Sequence, residues 1–199
     1  MTKCRNILIA GIGGQGVSTL SVVLQRVMHR AGLFCNSSIF KGGAQKRGSV
    51  YSTIRVFGSK EESTLYSSAI ANTEVDLVIA LEANEALRFD NLYNDKTHFI
   101  VNNYKFPFYN ERYKSSSKKT DPIEELEAKF ENCIINNYNE KSKIEFGNDK
   151  MMNVLIGREA IIHSNLGMDE IEYLDKFQQV AHINYEDMLS LMKLFNIKY

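Results

Sequence analysis

Four glycines fall within six residues of the segment "GIGGQG", a spacing typical of turns that bind phosphate groups. Gly11, Gly13, Gly14 and Gly16 follow the apolar run "NILIA" and precede "VSTLSVVLQRVMHRAG", whose apolar residues recur at helical spacing. The pattern predicts a strand, a glycine turn and a helix. Glycine admits positive φ angles and a close approach of ligand to backbone. The first N–H groups of the helix would point at an anion in the turn.

Two familiar phosphate-binding patterns do not fit this turn. A P-loop needs a lysine where this chain has Val17. Gly11, Gly13 and Gly16 spell G-x-G-x-x-G, but a dinucleotide site also needs an acidic residue about 20 positions later, and residues 1–60 contain no Asp or Glu. A conventional NAD site is therefore disfavoured. Two alternatives stay open: the turn binds another anion, or its glycines serve only a tight turn and close helix–sheet packing.

A second glycine-rich segment, "KGGAQKRGS", adds basic side chains that suit an anion. Arg47 can bind a phosphate through two hydrogen bonds, whereas Lys46 and Lys41 act as point charges. Gln15, in the first turn, and Gln45 offer neutral donors. The alternative is that these bases are solvated, as most bases on loops are.

The remaining polar residues predict no catalytic group. Glu82 and Glu85 begin a predicted helix, where the helix dipole stabilises carboxylates. Ser18 and Thr19 follow the glycine turn, where their hydroxyls bind either a phosphate or the helix backbone. The four histidines show neither metal-ligand spacing nor a nucleophile partner; they are His29, His98, His163 and His182.

Composition and cysteine spacing restrict the class of protein. Cys4, Cys35 and Cys133 are too scattered for a disulfide framework or a CxxC metal site, and too few for the four thiolates of a usual iron–sulfur cluster. The 199 residues are 44% hydrophobic and 24% charged, which is typical of a globular protein. No apolar run approaches the roughly 20 residues of a membrane span. The start "MTKCRN" has no signal-peptide pattern, so we expect a cytoplasmic protein.

Charge is unevenly distributed along a chain whose formal net charge is zero. Residues 1–60 carry nine Lys or Arg and no acid, whereas residues 61–199 carry 15 basic and 24 acidic residues. Such asymmetry indicates either an anion-binding face or a charged partner surface, or attraction between the two halves within the fold. The bases are spread out and no nucleic-acid recognition motif accompanies them. We therefore expect neither a nucleic-acid nor a membrane partner.

Short apolar runs alternate with helical patterns, which predicts an α/β fold. After the first strand and helix, strands are expected within residues 33–40, 50–57, 75–81, 97–103 and 132–138, and helices within 82–93, 121–130, 149–166, 168–178 and 184–195. The strand at 50–57 alternates and is therefore expected to be half exposed. In the helix at 121–130, Asp121 is expected as the N-cap and Pro122 at the first helical position. We predict a single domain over residues 1–199: a three-layer, Rossmann-like, mostly parallel sheet with helices on both faces and a helical end at 149–199. Residues 103–120 are expected to form an irregular loop, whose aromatic part favours contact with a partner.

Four segments, in order along residues 7–157, resemble a known family: "GIGGQG", "GAQKRGSVYSTIR", "ALEANEALR" and "MMNVLIG". The resemblance is to the γ-type domain of 2-oxoacid:ferredoxin oxidoreductases, especially the small (β) subunit of indolepyruvate ferredoxin oxidoreductase. Its second segment departs from the indolepyruvate pattern, because the paired Lys46 and Arg47 are closer to γ subunits that act on pyruvate and branched-chain oxoacids. The sequence therefore leaves the oxoacid open.

The resemblance implies a complex that oxidatively decarboxylates a 2-oxoacid to its acyl-coenzyme A and passes electrons to ferredoxin. It implies that a large α subunit carries thiamine diphosphate and the iron–sulfur clusters, while this chain holds no cofactor alone, completes the active site and helps to bind coenzyme A. The chain is then inactive by itself and reaches ferredoxin through the complex; the isolated chain could form a homodimer. The alternative is a free-standing, Rossmann-like protein that binds a nucleotide or another anion without catalysis.

Together, the residues and the resemblance predict one cofactor-binding site and neither a catalytic nor a metal site. The two glycine-rich segments are expected to meet at the carboxyl ends of neighbouring strands, where open α/β sheets bind ligands. The predicted site residues are Gly11, Gly13, Gly14, Gln15, Gly16, Gln45, Lys46, Arg47, Gly48 and Ser49.

Overall fold

A computed structural model describes residues 5–43, 48–106 and 120–197 of the chain. The strands are β1 (Asn6–Ile12), β2 (Phe34–Lys41), β3 (Ser49–Phe57), β4 (Leu77–Ala80), β5 (His98–Asn102) and β6 (Cys133–Asn136). The helices are α1 (Val17–Arg30), α2 (Lys60–Leu65), α3 (Ala83–Ala86), α4 (Pro122–Lys129), α5 (Tyr138–Phe146), α6 (Met152–His163), α7 (Glu170–Ala181) and α8 (Tyr185–Leu194). The six strands form one sheet in the order β2-β3-β1-β4-β5-β6.

Five of the six strands point the same way. β1, β4, β5 and β6 pair in parallel, whereas β3 runs antiparallel to both of its neighbours, β1 and β2. The predicted mostly parallel sheet is therefore confirmed. Insertion of β3 between β2 and β1 also explains why β3, expected to be half exposed, is mostly buried from Ser52 to its end.

The connections that leave the neighbouring parallel strands β1 and β4 lie on opposite faces of the sheet, which makes this point a topological switch. After β1 the chain enters α1, which packs on one face and leads to β2, whereas after β4 it enters α3, which packs on the other face and leads to β5. Open α/β sheets bind ligands at such a switch point, outside the carboxyl ends of the strands. We call this place the switch-point crevice; it is bordered by residues 11–16 after β1 and residues 81–85 after β4.

Helices cover both faces of the sheet, as predicted. One face buries apolar side chains of α1, α6, α7 and α8 against β1, β3 and β4, including Leu20, Val154 and Tyr173. The other face buries the short α3 and α4, including Ala83 and Leu126, against the opposite side of the same strands. The chain therefore forms three layers with the sheet in the middle.

Local capping explains where several helices begin. Asp121 accepts a hydrogen bond from the Ile123 N–H at 2.9 Å, and Pro122 occupies the first helical position of α4, as the sequence predicts. Asn184 caps α8 by accepting from the Asp187 N–H at 2.8 Å. No helix within the described residues is long and apolar enough to span a membrane.

The structure differs from the predicted elements in three places. The helix expected over residues 82–93 ends at Ala86, because the Leu87 and Arg88 N–H groups bond to carbonyls three residues back. The helices α2 and α5 were not predicted; in α5 the apolar residues lack helical spacing, and Ile144 is 73% exposed. Of the irregular loop expected at 103–120, residues 107–119 lie outside the described residues.

Candidate functional site

The first glycine turn (residues 11–16) needs glycine at three positions for different reasons. Gly14 and Gly16 have φ angles of 99° and 86°, which side chains rarely tolerate. Gly11 has no such angle, but a Cβ atom there would lie 2.9 Å from Gln15 Oε1 and 3.1 Å from Leu81 Cβ. Apart from its chain neighbours, a Cβ atom at Gly14 would meet no atom of the described residues within 4 Å, so among these residues Gly14 leaves open space in the turn.

Gln15 closes the turn onto the sheet instead of presenting a free amide. Its Oε1 accepts a hydrogen bond from the Ile12 N–H at 2.9 Å, and its Nε2 donates to the Leu81 carbonyl at 3.3 Å. The side chain thus links the end of β1 to the residue after β4. The neutral donor expected at Gln15 is largely used within the protein.

Two of the backbone N–H groups expected to hold an anion are also used internally. The Gly13 N–H donates to the Gly48 carbonyl at 2.8 Å, and the Gln15 N–H donates to the Ile12 carbonyl at 3.0 Å. By contrast, no side chain among the described residues caps α1, whose N-cap is Gly16. The first N–H groups of a helix have no partner inside it, so those of Val17 to Thr19 point towards the turn without a partner inside α1.

The second glycine-rich loop (residues 42–48) begins and ends at the same edge of the sheet as the first turn. The Gly42 N–H donates to the Ser49 carbonyl at 2.8 Å, which closes the base of the loop. Together with the Gly13–Gly48 hydrogen bond, this contact brings the two glycine-rich segments together. Contrary to the prediction, the two segments do not follow neighbouring strands, because β3 lies between β2 and β1. The loop follows β2 and meets the first turn through Gly48, just before β3. Gln45, Lys46 and Arg47 lie outside the described residues.

Ser49 is tied to a buried carboxylate. Its Oγ donates to Glu85 Oε2 at 2.6 Å, and Glu85 is 0% exposed. Arg88 donates to both oxygens of the same carboxylate, from Nε and Nη2, each at 2.8 Å. This hydrogen bonding raises the pKa of Arg88 further, so the guanidinium stays charged. The Arg88 side chain is 48% exposed, so one end of the ion pair reaches solvent.

Glu82 is the second fully buried carboxylate beside the crevice. It caps α3 by accepting from the Glu85 N–H at 3.0 Å, as the helix-dipole interpretation expects. Its other oxygen accepts from Asn84 Nδ2 at 2.8 Å and from the Phe106 N–H at 2.9 Å. The sequence-based interpretation of Glu82 and Glu85 as helix-start residues predicted neither the full burial of these carboxylates nor the hydrogen bond between Glu82 and Phe106.

Asn153 at the start of α6 holds the first glycine turn from the other side. Its Nδ2 donates to the Gln15 carbonyl at 2.8 Å, and a Cβ atom on Gly16 would collide with the same Nδ2. The Oδ1 atom of Asn153 is buried without a hydrogen-bond partner among the described residues. Residue-by-residue reasoning did not select Asn153; its place in the segment "MMNVLIG" was the only signal.

Gly157, one turn later in α6, allows three helices to approach closely. A Cβ atom there would collide with the Tyr173 hydroxyl and lie 2.7 Å from Leu20 Cδ1. Tyr173 donates towards the Asn153 and Val154 carbonyls at 3.1 and 3.0 Å. Full burial raises the pKa of Tyr173, so the hydroxyl keeps its proton.

The histidines do not assemble into a site. His29 lies in the last turn of α1 and His182 ends α7 with a φ of 53°. His163 lies 3.6 Å from Glu159 in α6, and His98 is exposed at the start of β5. Within residues 5–43, 48–106 and 120–197, no three His, Cys, Asp or Glu side chains are grouped as metal ligands.

Comparison with protein families identifies the chain at the family level. The family model for pyruvate ferredoxin/flavodoxin oxidoreductase matches residues 6–174. Curated relatives include the indolepyruvate oxidoreductase subunit IorB of Archaeoglobus fulgidus, 36% identical over 100 residues, covering 50% of this chain and 47% of the relative. IorB of Methanothermobacter thermautotrophicus is 29% identical over 126 residues, covering 63% and 60%. The matched region thus spans about half the length of these relatives.

Solved structures share the fold at low sequence identity. The pyruvate oxidoreductase subunit PORC of Thermotoga maritima matches with a TM-score of 0.63 and 13% identity, covering 95% of this chain and 91% of that one. A 2-oxoglutarate:ferredoxin oxidoreductase from Magnetococcus marinus, solved with 2-oxoglutarate, coenzyme A and succinyl-CoA bound, matches with a TM-score of 0.64 and 15% identity, covering 98% of this chain and 30% of that chain. The family match, which covers most of the sequence, shows that this chain belongs to the pyruvate ferredoxin/flavodoxin oxidoreductase family.

Proposed function

We propose that this chain is the small subunit of a 2-oxoacid:ferredoxin oxidoreductase of the indolepyruvate type. The complex would oxidatively decarboxylate an aryl or other 2-oxoacid to its acyl-coenzyme A, with ferredoxin as the electron acceptor. Family membership and the IorB names of the relatives support the reaction class. The observation that carries a role in binding is the Gly13–Gly48 hydrogen bond, which joins two glycine-rich segments beside an uncapped helix N-terminus.

Coenzyme A fits the chemistry of this edge of the sheet. Its phosphates are polyanionic, and the first turn of α1 offers N–H donors with the positive end of the helix dipole. Gly14 leaves open space where a phosphate oxygen could approach the backbone. Lys46 and Arg47, in the loop whose base Ser49 closes, would add charge. When bound, coenzyme A supplies the thiol that accepts the acyl group.

The proposal assigns thiamine diphosphate and the iron–sulfur clusters to a large partner subunit. Exposed apolar side chains on the C-terminal helices support such a partner: Ile171 is 54% exposed on α7, and Tyr185 is 66% exposed at the start of α8. Apolar and aromatic residues of this kind are enriched at interface cores. Replacing Ile171 and Tyr185 with Ser should weaken assembly, measured by co-purification, and leave the fold of the isolated chain intact.

Reconstitution tests the activity. The chain is mixed with its candidate large subunit, a 2-oxoacid, coenzyme A and a viologen acceptor, and each protein is also assayed alone. We expect reduction of the acceptor only when both proteins are present. Reduction by this chain alone, or full activity of the large subunit without it, would overturn the proposal. A panel of aryl, branched-chain and short 2-oxoacids then identifies the substrate.

Loop variants test the role in coenzyme A binding. Gly14→Val fills the open space in the first turn, and Arg47→Ala removes a base from the second loop. Each should raise the KM for coenzyme A in the assembled complex and leave the KM for the 2-oxoacid unchanged. Gly58→Ala is the control, because among the described residues a Cβ atom at this exposed glycine meets only Glu62 Oε2, at 3.9 Å. An unchanged KM for coenzyme A in both loop variants would contradict this role.

A free-standing anion-binding protein is the second candidate, because the joined loops and the uncapped α1 belong to one chain. The isolated chain would then bind coenzyme A or inorganic pyrophosphate with an affinity that a large subunit does not change. Calorimetry with and without the large subunit separates the two candidates. Affinity that increases on assembly favours the subunit role.

A further inference from the structure

The two buried carboxylates of the α3 region have no task in the proposed function so far. Glu82 and Glu85 are both fully buried within residues 81–85, which border the switch-point crevice, and each bonds to a residue distant in the sequence. Glu82 accepts from the Phe106 N–H at 2.9 Å, and Glu85 accepts from Ser49 Oγ at 2.6 Å. Burial of a carboxylate is costly unless it is paired and hydrogen-bonded, so these contacts are specific requirements of the site.

The hydroxyl of Ser49 is committed to Glu85. A serine hydroxyl has one hydrogen to donate, and here it goes to a carboxylate oxygen in a short, charge-assisted hydrogen bond. Ser49 therefore cannot donate that hydrogen to a phosphate while this bond exists. Its direct contribution to an anion site, expected from the sequence, is replaced by a contact inside the protein.

The carboxylate that holds Ser49 is itself fixed in orientation. Arg88 binds both of its oxygens at 2.8 Å, a two-point contact that prevents the carboxylate from rotating. The direction of the Ser49 hydrogen bond is therefore set by α3 and the residues that follow it.

Ser49 occupies the point at which the two glycine-rich segments join. It is the first residue of β3, and its carbonyl accepts from the Gly42 N–H at 2.8 Å, closing the base of the second loop. The preceding carbonyl, of Gly48, accepts from the Gly13 N–H at 2.8 Å. A shift of Ser49 would therefore move the base of the second loop relative to the first turn.

We propose that Glu85 and Ser49 are positioning residues, which set the affinity for coenzyme A by fixing the base of the second glycine-rich loop against the first turn without touching the ligand. This inference rests on the proposed function, because it assumes that the two segments bind coenzyme A together. Arg88 belongs to the same device, since it orients the Glu85 carboxylate.

Single-atom variants in the assembled complex test the proposal. Ser49→Ala and Glu85→Gln should each raise the KM for coenzyme A about tenfold, the effect of losing one charge-assisted hydrogen bond. We expect kcat and the KM for the 2-oxoacid to stay unchanged. Ser49→Thr keeps the hydroxyl and should restore the KM for coenzyme A. The double variant should be no worse than either single variant, because both act on the same contact: Ser49→Ala removes the donor, and Glu85→Gln removes the charge of the acceptor.

Thr53→Val is the matched control on the same strand. Thr53 is buried, and its Oγ1 has no hydrogen-bond partner among the described residues. Removing this hydroxyl should leave every kinetic constant unchanged. If Thr53→Val raises the KM for coenzyme A as much as Ser49→Ala does, loss of the Glu85 contact is not the cause and the proposal is wrong.

The other outcomes separate this inference from the proposed function. A raised KM for coenzyme A in Gly14→Val and Arg47→Ala, with unchanged values in Ser49→Ala and Glu85→Gln, would refute the positioning role alone. A fall in kcat with equal changes in both KM values, or failure of Ser49→Thr to restore binding, would also refute it. If no variant in either segment changes the KM for coenzyme A, the proposed binding role itself is wrong.

Discussion

On the α6 side of the switch-point crevice, the first glycine turn is held by close packing, whereas on the α3 side the second loop is held by buried charged groups. Gly16 and Gly157 make room for Asn153, Leu20 and Tyr173, because a Cβ atom at either glycine would lie within 3 Å of their side chains. On the α3 side, Ser49, Glu85 and Arg88 form directional hydrogen bonds. The packing on the α6 side requires that the two glycines carry no side chain, whereas the contacts on the α3 side require individual hydrogen-bonding atoms.

This difference has a consequence for how the two sides respond to substitution. Closely packed interiors do not accommodate added volume, so changes on the α6 side should act mainly on stability. The protein can still fold when the base of the second loop loses one hydrogen bond, so changes on the α3 side should act mainly on the position of the loop. Stability and coenzyme A affinity should therefore vary separately on the two sides.

The largest expected effect is that of Gly157→Val. The new side chain would collide with the Tyr173 hydroxyl and crowd Leu20, and both of these residues are fully buried. Overpacking together with loss of the Tyr173 hydrogen bonds should lower the free energy of unfolding by about 3 kcal/mol or more. Urea unfolding followed by circular dichroism measures this change. The control is Gly58→Ala, for which we expect a change within about 0.5 kcal/mol; a small loss in Gly157→Val would show that the helices can move apart.

A smaller effect is expected at the first glycine turn, where two glycines separate backbone strain from collision. Gly14→Ala introduces a side chain at a φ of 99° in open space and should lower the free energy of unfolding by about 1 kcal/mol. Gly16→Ala adds a collision with Asn153 Nδ2 and should lower it by about 3 kcal/mol.

A double-mutant cycle isolates the collision. In an Asn153→Ala background, Gly16→Ala should lower the free energy of unfolding by only about 1 kcal/mol, the value expected for Gly14→Ala, because only the backbone strain is left. Unfolding free energies of the four proteins give the coupling between residues 16 and 153. Additive effects in the cycle would mean that Asn153 does not determine the need for glycine at position 16.

On the α3 side, Arg88→Ala should lower the free energy of unfolding by about 2 kcal/mol. This value lies below the 3–5 kcal/mol of a fully buried pair, because the Arg88 side chain is 48% exposed and solvent compensates part of the loss. Arg88→Lys keeps the charge but loses the two-point contact and should have a smaller effect. Urea unfolding measures both. Equal stability of Arg88→Ala and the wild type would mean that water replaces the guanidinium fully.

The sequence predicted the parts of this site that depend on local rules. The glycine turn follows from residues 11–16 and the helical pattern after them, and the N-cap at Asp121 follows from its position before Pro122. The strands β4 and β5 were predicted from their short apolar runs. These features need no knowledge of distant residues.

Apart from the meeting of the two glycine-rich segments, which the Gly13–Gly48 hydrogen bond shows, features that depend on distant contacts were not predicted. Insertion of β3 between β2 and β1 is a pairing choice that apolar alternation does not encode. Glu85 and Glu82 looked like ordinary helix-start residues, because only the fold brings Ser49 and Phe106 to them. Gln15 looked like a free donor, since its contact with Leu81 spans 66 positions along the sequence. Whether Gln45, Lys46 and Arg47 bind coenzyme A stays a prediction.

The smallest expected effect is chemical, and it uses one cysteine on each side of the sheet. Cys35 in β2 packs against the cluster that contains α1 and α6, whereas Cys133 in β6 packs against the cluster that contains α3 and α4. Burial raises the pKa of Cys35, and burial together with the nearby Glu127 raises the pKa of Cys133 to about 11. Only the thiolate reacts with iodoacetamide, so about one Cys133 thiol in a thousand is reactive at pH 8.

Alkylation rates in a Cys4→Ser variant, followed by peptide mapping, therefore report on the two sides separately. The rate at Cys133 should rise about tenfold for each pH unit from 8 to 10, because its pKa lies above that range. In Gly157→Val, which disturbs the α6 side, the rate at Cys35 should increase more than the rate at Cys133. If alkylation of both thiols is accelerated equally, the two layers open as one unit. The difference between the packed side and the hydrogen-bonded side would then not extend to their opening motions. Fast labelling of Cys133 at pH 8 in the wild type would contradict its burial and the raised pKa.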